Sequence, residues 1–154
     1  MLSESEREEI QRELPRYAHK RAMVPEALRI VQEHRGWVND DGVKDVAEIL
    51  AMSVDEIETI ATAYNMIFRR PVGRHVILLC DNVSCWIMGS ETLQSRIAER
   101  LHIGPGQTTP DNRFTLIPSA CIGDCHEAPA MIIDGEIYGN LTPERIDEIL
   151  ERHP

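Results

Sequence analysis

Residues 114–146 read FTLIPSACIGDCHEAPAMIIDGEIYGNLTPERI, and the order of signals within them sets the fold. Phe114 to Ile117 is a short apolar strand. A loop with Cys121 and Cys125 follows. Met131 to Ile133 and Glu136 to Tyr138 then flank Asp134-Gly135, a two-residue pair that strongly signals a β-hairpin. Thr142 as N-cap, with Pro143 at the first helical position, starts a final helix through about Arg152. Proline is welcome there because the N–H it lacks would have no intrahelical partner anyway.

Upstream, His75 to Cys80 (HVILLC) is too short and too rich in branched residues for a helix, and reads as a buried strand. Ser90 to Leu101 is an amphipathic helix on Leu93, Ile97 and Leu101, and Gly104-Pro105-Gly106 ends it in a loop. The order is therefore strand, helix, strand, strand, strand, helix. A βα unit returning through a crossover, followed by a hairpin and a covering helix, is the thioredoxin-like arrangement with one helix missing or reduced to a loop.

Residues 1–70 contain only helical signals. Ser3 with Glu6 and Ser53 with Glu56 are capping boxes, in which each side chain satisfies an unpaired backbone N–H of the other residue. A second helix spans about Ala22 to His34, with Pro25 tolerable only in its first turn and Gly36 as its cap. Asn39 and Asp40 precede Val43, Val46, Ala47 and Leu50, whose spacing marks one buried face. Ile57, Ile60, Ala61 and Tyr64 form the inner side of a fourth helix. The register changes at Arg69-Arg70-Pro71-Val72-Gly73, so the fold class is α/β, with a helical bundle (1–70) followed by a thioredoxin-like domain (71–154). Arg69, Arg70 and Arg74 are either a partner contact or, more commonly for such runs, solvated linker charge.

Composition narrows the function. An apolar share of 42% excludes intrinsic disorder. Sixteen basic against 26 acidic side chains give a net charge of −10, which supports neither nucleic-acid binding nor adhesion to an anionic membrane. No apolar run exceeds five residues, and MLSESEREEI lacks the basic start and apolar core of a signal peptide. A cytosolic or peripheral protein is expected. A reducing compartment disfavours disulfides, so the four cysteines point to metal or redox chemistry.

Those cysteines fall as Cys80-x4-Cys85, then 35 residues, then Cys121-x3-Cys125, each pair beginning where a strand ends. Structural zinc habitually uses pairs two residues apart, which fits these intervals poorly, whereas a binuclear iron–sulfur cluster is wider and accepts longer ones. Zinc and unligated core cysteines stay open on spacing alone. A dithiol enzyme needs Cys-x-x-Cys at a helix N-terminus, which is absent. A Rieske centre needs two histidine ligands, and the six histidines read as surface or ordinary core. Gly123 can bring backbone N–H groups to cluster sulfurs. Trp86 reads as core shielding Cys85, and Ala128-Pro129 is a candidate cis bond.

With GRHVILLCDNVSCWIMGS (73–90), the 114–146 stretch and ALRIVQEHRGWVND (27–40) in view, the chain resembles a known family over nearly its whole length. It is similar to the small [2Fe-2S] subunits, of the 24-kilodalton or E type, of bacterial respiratory NADH:quinone oxidoreductase (complex I). The specific pattern is Cys80, Cys85 and Gly89 followed by Cys121, Cys125, Ala128 and Pro129. The resemblance implies a thioredoxin-like domain holding one [2Fe-2S] cluster, with Cys80 and Cys85 on one iron and Cys121 and Cys125 on the other. It further implies an electron-transfer role within an oxidoreductase, without a substrate site of its own. The chain would dock on the partner that binds FMN and NADH, in the peripheral arm on the cytoplasmic side of the inner membrane. Small subunits of NAD-linked hydrogenases or formate dehydrogenases look similar, and a scaffold with a purely structural cluster is the third possibility. No Gly-x-Gly-x-x-Gly fingerprint is present, so nucleotide binding falls to the partner.

Overall fold

A computed structural model describes every residue, Met1–Pro154. The chain packs as two compact units, Met1–Pro71 and Val72–Pro154.

In the first unit four helices form in sequence order: α1 (Glu4–Glu13), α2 (Lys20–Arg35), α3 (Asp40–Leu50) and α4 (Val54–Ala63). Both capping boxes close as the sequence predicts. The Glu6 N–H donates to Ser3 Oγ at 3.2 Å while Ser3 N–H donates to Glu6 Oε2 at 2.7 Å. Asn39 caps α3 by accepting from Gly42 N–H at 2.8 Å. The apolar faces meet in one core built around Ile10, Met23, Leu28, Val46, Leu50 and Ile57.

Three expectations are corrected here. Helix α2 starts at Lys20, so Pro25 lies beyond its first turn. The i−4 carbonyl that Pro25 leaves unpaired belongs to Arg21, an exposed residue, where water can satisfy it. Tyr64 is not on the buried face, because α4 ends at Ala63 and Tyr64 is extended and exposed. Arg69 is not solvated linker charge. Its guanidinium bonds Asp40 Oδ1 at 2.8 Å, Glu58 Oε2 at 2.9 Å and the Val38 carbonyl, tying the exit of the unit to α3 and α4.

In the second unit β1 (His75–Cys80) leads through the short α5 (Val83–Ile87) and α6 (Ser90–Leu101) to β2 (Phe114–Ser119). The hairpin β3 (Met131–Ile133) and β4 (Glu136–Tyr138) and the last helix α7 (Pro143–Glu151) complete it. The sheet order is β2-β1-β3-β4, with β2 parallel and β3 antiparallel to β1. Asp134 and Gly135 make the hairpin turn with φ of 52° and 87°, the left-handed pair that a two-residue turn requires. Strand β2 runs past Ile117 through Pro118 because it is an edge strand, where a missing N–H breaks no ladder.

Ile77 and Leu79 pack against Leu93 and Ile97 of α6 and Ile146 and Ile149 of α7. Side chains alternate along a strand, so Cys80 falls on the opposite face, against Cys85 and Ala128. Arg113 fastens the end of α7 by donating to the Leu150 carbonyl at 3.0 Å, one of the acceptors a helix end leaves open, and to the His153 carbonyl just beyond the helix at 2.7 Å.

Candidate metal centre

Four loops or strand ends converge at the carboxyl end of β1. Cys80 is the last residue of β1, and its N–H donates to Ala130 O at 3.1 Å, while Asp81 N–H donates to Ser119 O at 3.0 Å. Asn82 then caps a single turn of helix by accepting from Val83 N–H at 2.7 Å, and that turn carries Cys85 inward. Cys80 and Cys85 are both buried and pack together in one small cluster with Ala128. Cys121 and Cys125 lie beyond the end of β2 in an exposed loop, with their sulfurs 3.4 Å apart. Ala128–Pro129 is cis, in agreement with its reading as a candidate, and precedes β3.

The electrostatics of the pairs differ. Burial pushes the Cys85 thiol up to about 11, the Cys80 sulfur adds to the rise, and a hydrogen bond from the Ala130 backbone opposes it. A ligand at this pair must therefore displace a proton. The Gly123 backbone N–H holds Cys121 below its ordinary value, because a donated hydrogen bond favours the thiolate. Cys125 is raised, chiefly by hydrogen bonding and repulsion with Cys121, with the Ser84 hydroxyl pulling the other way. Charge on Cys125 is felt at Cys85, and charge on Cys80 at Cys125, so the pairs face one another.

The donor set fits two metals better than one. Two thiolates on one tetrahedral metal, with bonds of about 2.3 Å, lie roughly 3.7 Å apart, close to the Cys121–Cys125 separation. Yet no three His, Cys, Asp or Glu side chains anywhere in the chain gather about one point as a single ion requires. Two adjacent sulfur pairs can each hold one iron of a binuclear cluster, for which four cysteines are the usual ligands.

The surroundings are polar on one side and apolar on the other. Asp124 is largely covered, with Oδ1 at 3.3 Å from His126 Nδ1, and His126 itself points into solvent. The Asp124 and Glu127 carboxylates crowd Gly139, where a Cβ would collide with the Glu127 side chain. Trp86 does not shield Cys85 as core: it is 56% exposed, one residue round the helix from the buried sulfur. Sequence reasoning also missed α5 and the Ser84 hydroxyl at Cys125. The one local signal for both was Asn82 as an N-cap immediately before Val83.

Known iron–sulfur proteins are similar to this chain over nearly its whole length. The model of the thioredoxin-like [2Fe-2S] ferredoxin family matches residues 10–153. The E subunit of NADH-quinone oxidoreductase from Escherichia coli (strain K12) is 48% identical over 152 residues, covering 99% of this chain and 92% of that protein. Its counterpart from Pseudomonas aeruginosa is 44% identical over 153 residues, again covering 99% and 92%. Among solved structures, an NAD+-reducing [NiFe]-hydrogenase in its air-oxidized state superposes with a TM-score of 0.68 at 27% identity. That match covers 81% of this chain and 22% of the much longer hydrogenase chain. A near-complete family match over two facing thiol pairs on a thioredoxin-like sheet leads to one conclusion: the chain belongs to the thioredoxin-like [2Fe-2S] ferredoxin family, in the group formed by the E subunits of NADH-quinone oxidoreductase.

Proposed function

We propose that this protein is the small electron-transfer subunit of an NADH-quinone oxidoreductase, holding one [2Fe-2S] cluster close to the FMN of a partner subunit that binds NADH. In this reading Cys80 and Cys85 ligate one iron and Cys121 and Cys125 the other. Residues 71–154 are the iron–sulfur domain and residues 1–70 the docking region. The protein sits in the peripheral arm of the complex on the cytoplasmic side of the membrane; no helix is long and apolar enough to cross a membrane. The observation that carries the reading is the 44–48% identity to the two bacterial relatives over 99% of the chain, with all four cysteines in facing pairs. The hydrogenase alternative rests on the 27% match alone.

A bound cluster of this type supplies one-electron chemistry, with a potential set by charge, sulfur hydrogen bonds and exposure. The chain's own residues supply those determinants. Backbone N–H groups of Gly123 and Ala130 donate to Cys121 and Cys85, and the Ser84 hydroxyl to Cys125, which stabilises negative charge on three of the four sulfurs. Asp124 opposes them with a carboxylate between two ligands. Cys80 and Cys85, covered by strand and helix, keep one side of the site away from water.

The test is to mix the full chain with the FMN subunit and add NADH under anaerobic conditions. Bleaching of the cluster's visible absorption supports an electron-transfer role. A cluster that stays oxidised while the flavin is reduced would leave it a structural staple.

A further inference from the structure

Nine large apolar side chains are exposed in this protein, and four of them lie in the six residues Val83–Met88. Val83 is 60% exposed, Trp86 56%, Ile87 70% and Met88 59%. At 3.6 residues per turn Trp86, Val83 and Ile87 occupy an arc of about 100° on α5, and Cys85 sits roughly opposite its middle. The inner side of the turn therefore carries a buried thiol while the outer side presents apolar surface on the order of several hundred Å². A patch of that size on a soluble chain marks an interaction site.

The charge around the patch selects its occupant. Between Arg74 and Arg96, and again between Arg113 and Arg145, there is no Lys or Arg. The carboxylates in those two stretches include Asp81 and Glu91 flanking α5, and Asp124 and Glu127 in the loop that Ser84 touches through Cys125. An anionic lipid surface needs basic side chains to hold it, and none is here. A second copy of this chain would set these carboxylates against themselves, which costs rather than gains energy. What fits is a different protein with an apolar centre ringed by Lys and Arg.

We infer that the outer face of α5, formed by Val83, Trp86 and Ile87 and continued by Met88 just past its end, is a second seat of the NAD-linked partner subunit beside the docking region of residues 1–70, and that the partner meets it with an apolar surface rimmed by basic side chains. The inference rests on the function proposed above and adds, to the docking region of residues 1–70, a contact in the iron–sulfur domain itself. A partner on this face lies one helical turn from Cys85, so the same five residues position a sulfur ligand and its electron-exchange partner.

The experiment compares the full, iron-loaded chain with Ile87→Lys and with Val83→Lys/Ile87→Lys. Readouts are iron content, affinity for the purified FMN subunit at two salt concentrations, and the rate of cluster reduction by NADH. Both positions are exposed, so the variants should keep their iron. If the double variant loses it, the single one carries the test. The expected result is unchanged iron and at least a tenfold weaker Kd, the loss typical of charging the centre of an interface, with native binding weakening as salt rises. Iron-loaded variants that bind within twofold of native would overturn the inference while leaving the function intact. So would variants whose only change is in self-association by sedimentation, or in binding to phosphatidylglycerol vesicles. A native chain that neither binds the FMN subunit nor is reduced by NADH would instead refute the functional reading.

Discussion

Glu6 and Arg35 allow a quantitative test of how the helical unit is held together. Arg35 Nε donates to Glu6 Oε1 at 2.6 Å and Nη2 to Oε2 at 2.9 Å, with the Glu6 side chain only 3% exposed. The paired guanidinium, against an opposing contribution from burial, and with help from Ser3, lowers Glu6 from 4.5 to about 2. The shift contributes about 3 kcal/mol to folding at neutral pH. Because the folded-state value is depressed, that contribution is complete above about pH 4.5 and is lost as pH falls through about 2. At pH 3 roughly 1.4 kcal/mol should remain. Glu6→Gln keeps the size and removes the charge, so its deficit relative to native should shrink between pH 7 and pH 3 by more than half. Hydrogen exchange of α1 and α2 amides in the full chain, corrected for intrinsic rates, reads this directly. A deficit below about 1 kcal/mol at pH 7, or one that does not change with pH, would refute the argument.

Five further substitutions probe the metal centre and the residues packed beside it. Cys121→Ser and Cys125→Ser should each lose or severely destabilise the cluster, whereas His126→Ala, altering a solvent-facing side chain, should leave iron content unchanged. Asp124→Asn should raise the midpoint potential in a redox titration at fixed ionic strength, because it removes a negative charge from a largely covered position between two ligands. Gly139→Ala should destabilise the second unit by roughly 1–3 kcal/mol in thermal unfolding, since the new Cβ meets the Glu127 side chain and the backbone around it must shift.

Most of the architecture is written in short-range signals, because caps, turns and strand periodicity act within a few residues. The capping boxes at Ser3 and Ser53, the Asp134-Gly135 hairpin and the strand at 75–80 form as the local chemistry dictates. What the sequence does not disclose depends on contacts distant in the chain or on elements too short for periodicity. Arg69 bonds the Val38 carbonyl 31 residues away, a partner no local pattern can name. Pro118 extends β2 only because that strand lies at the sheet edge, which is a property of the topology. Helix α5 has five residues, so its phase cannot be read, and Trp86 next to a cysteine looks like core. One turn of helix rotates it instead to the surface, where the partner face is inferred. The paired placement of the cysteines is legible from spacing. The contrast between a buried pair and an exposed pair is not, since it depends on α5 folding over Cys85.

Metal and sulfide analysis of the purified full chain, together with its visible spectrum, tests the central claim most directly. A [2Fe-2S] site predicts about two irons and two acid-labile sulfides per chain, absorption between about 400 and 600 nm, and loss of that absorption on reduction. A colourless protein with one zinc per chain, or with four free thiols and no metal, would contradict it.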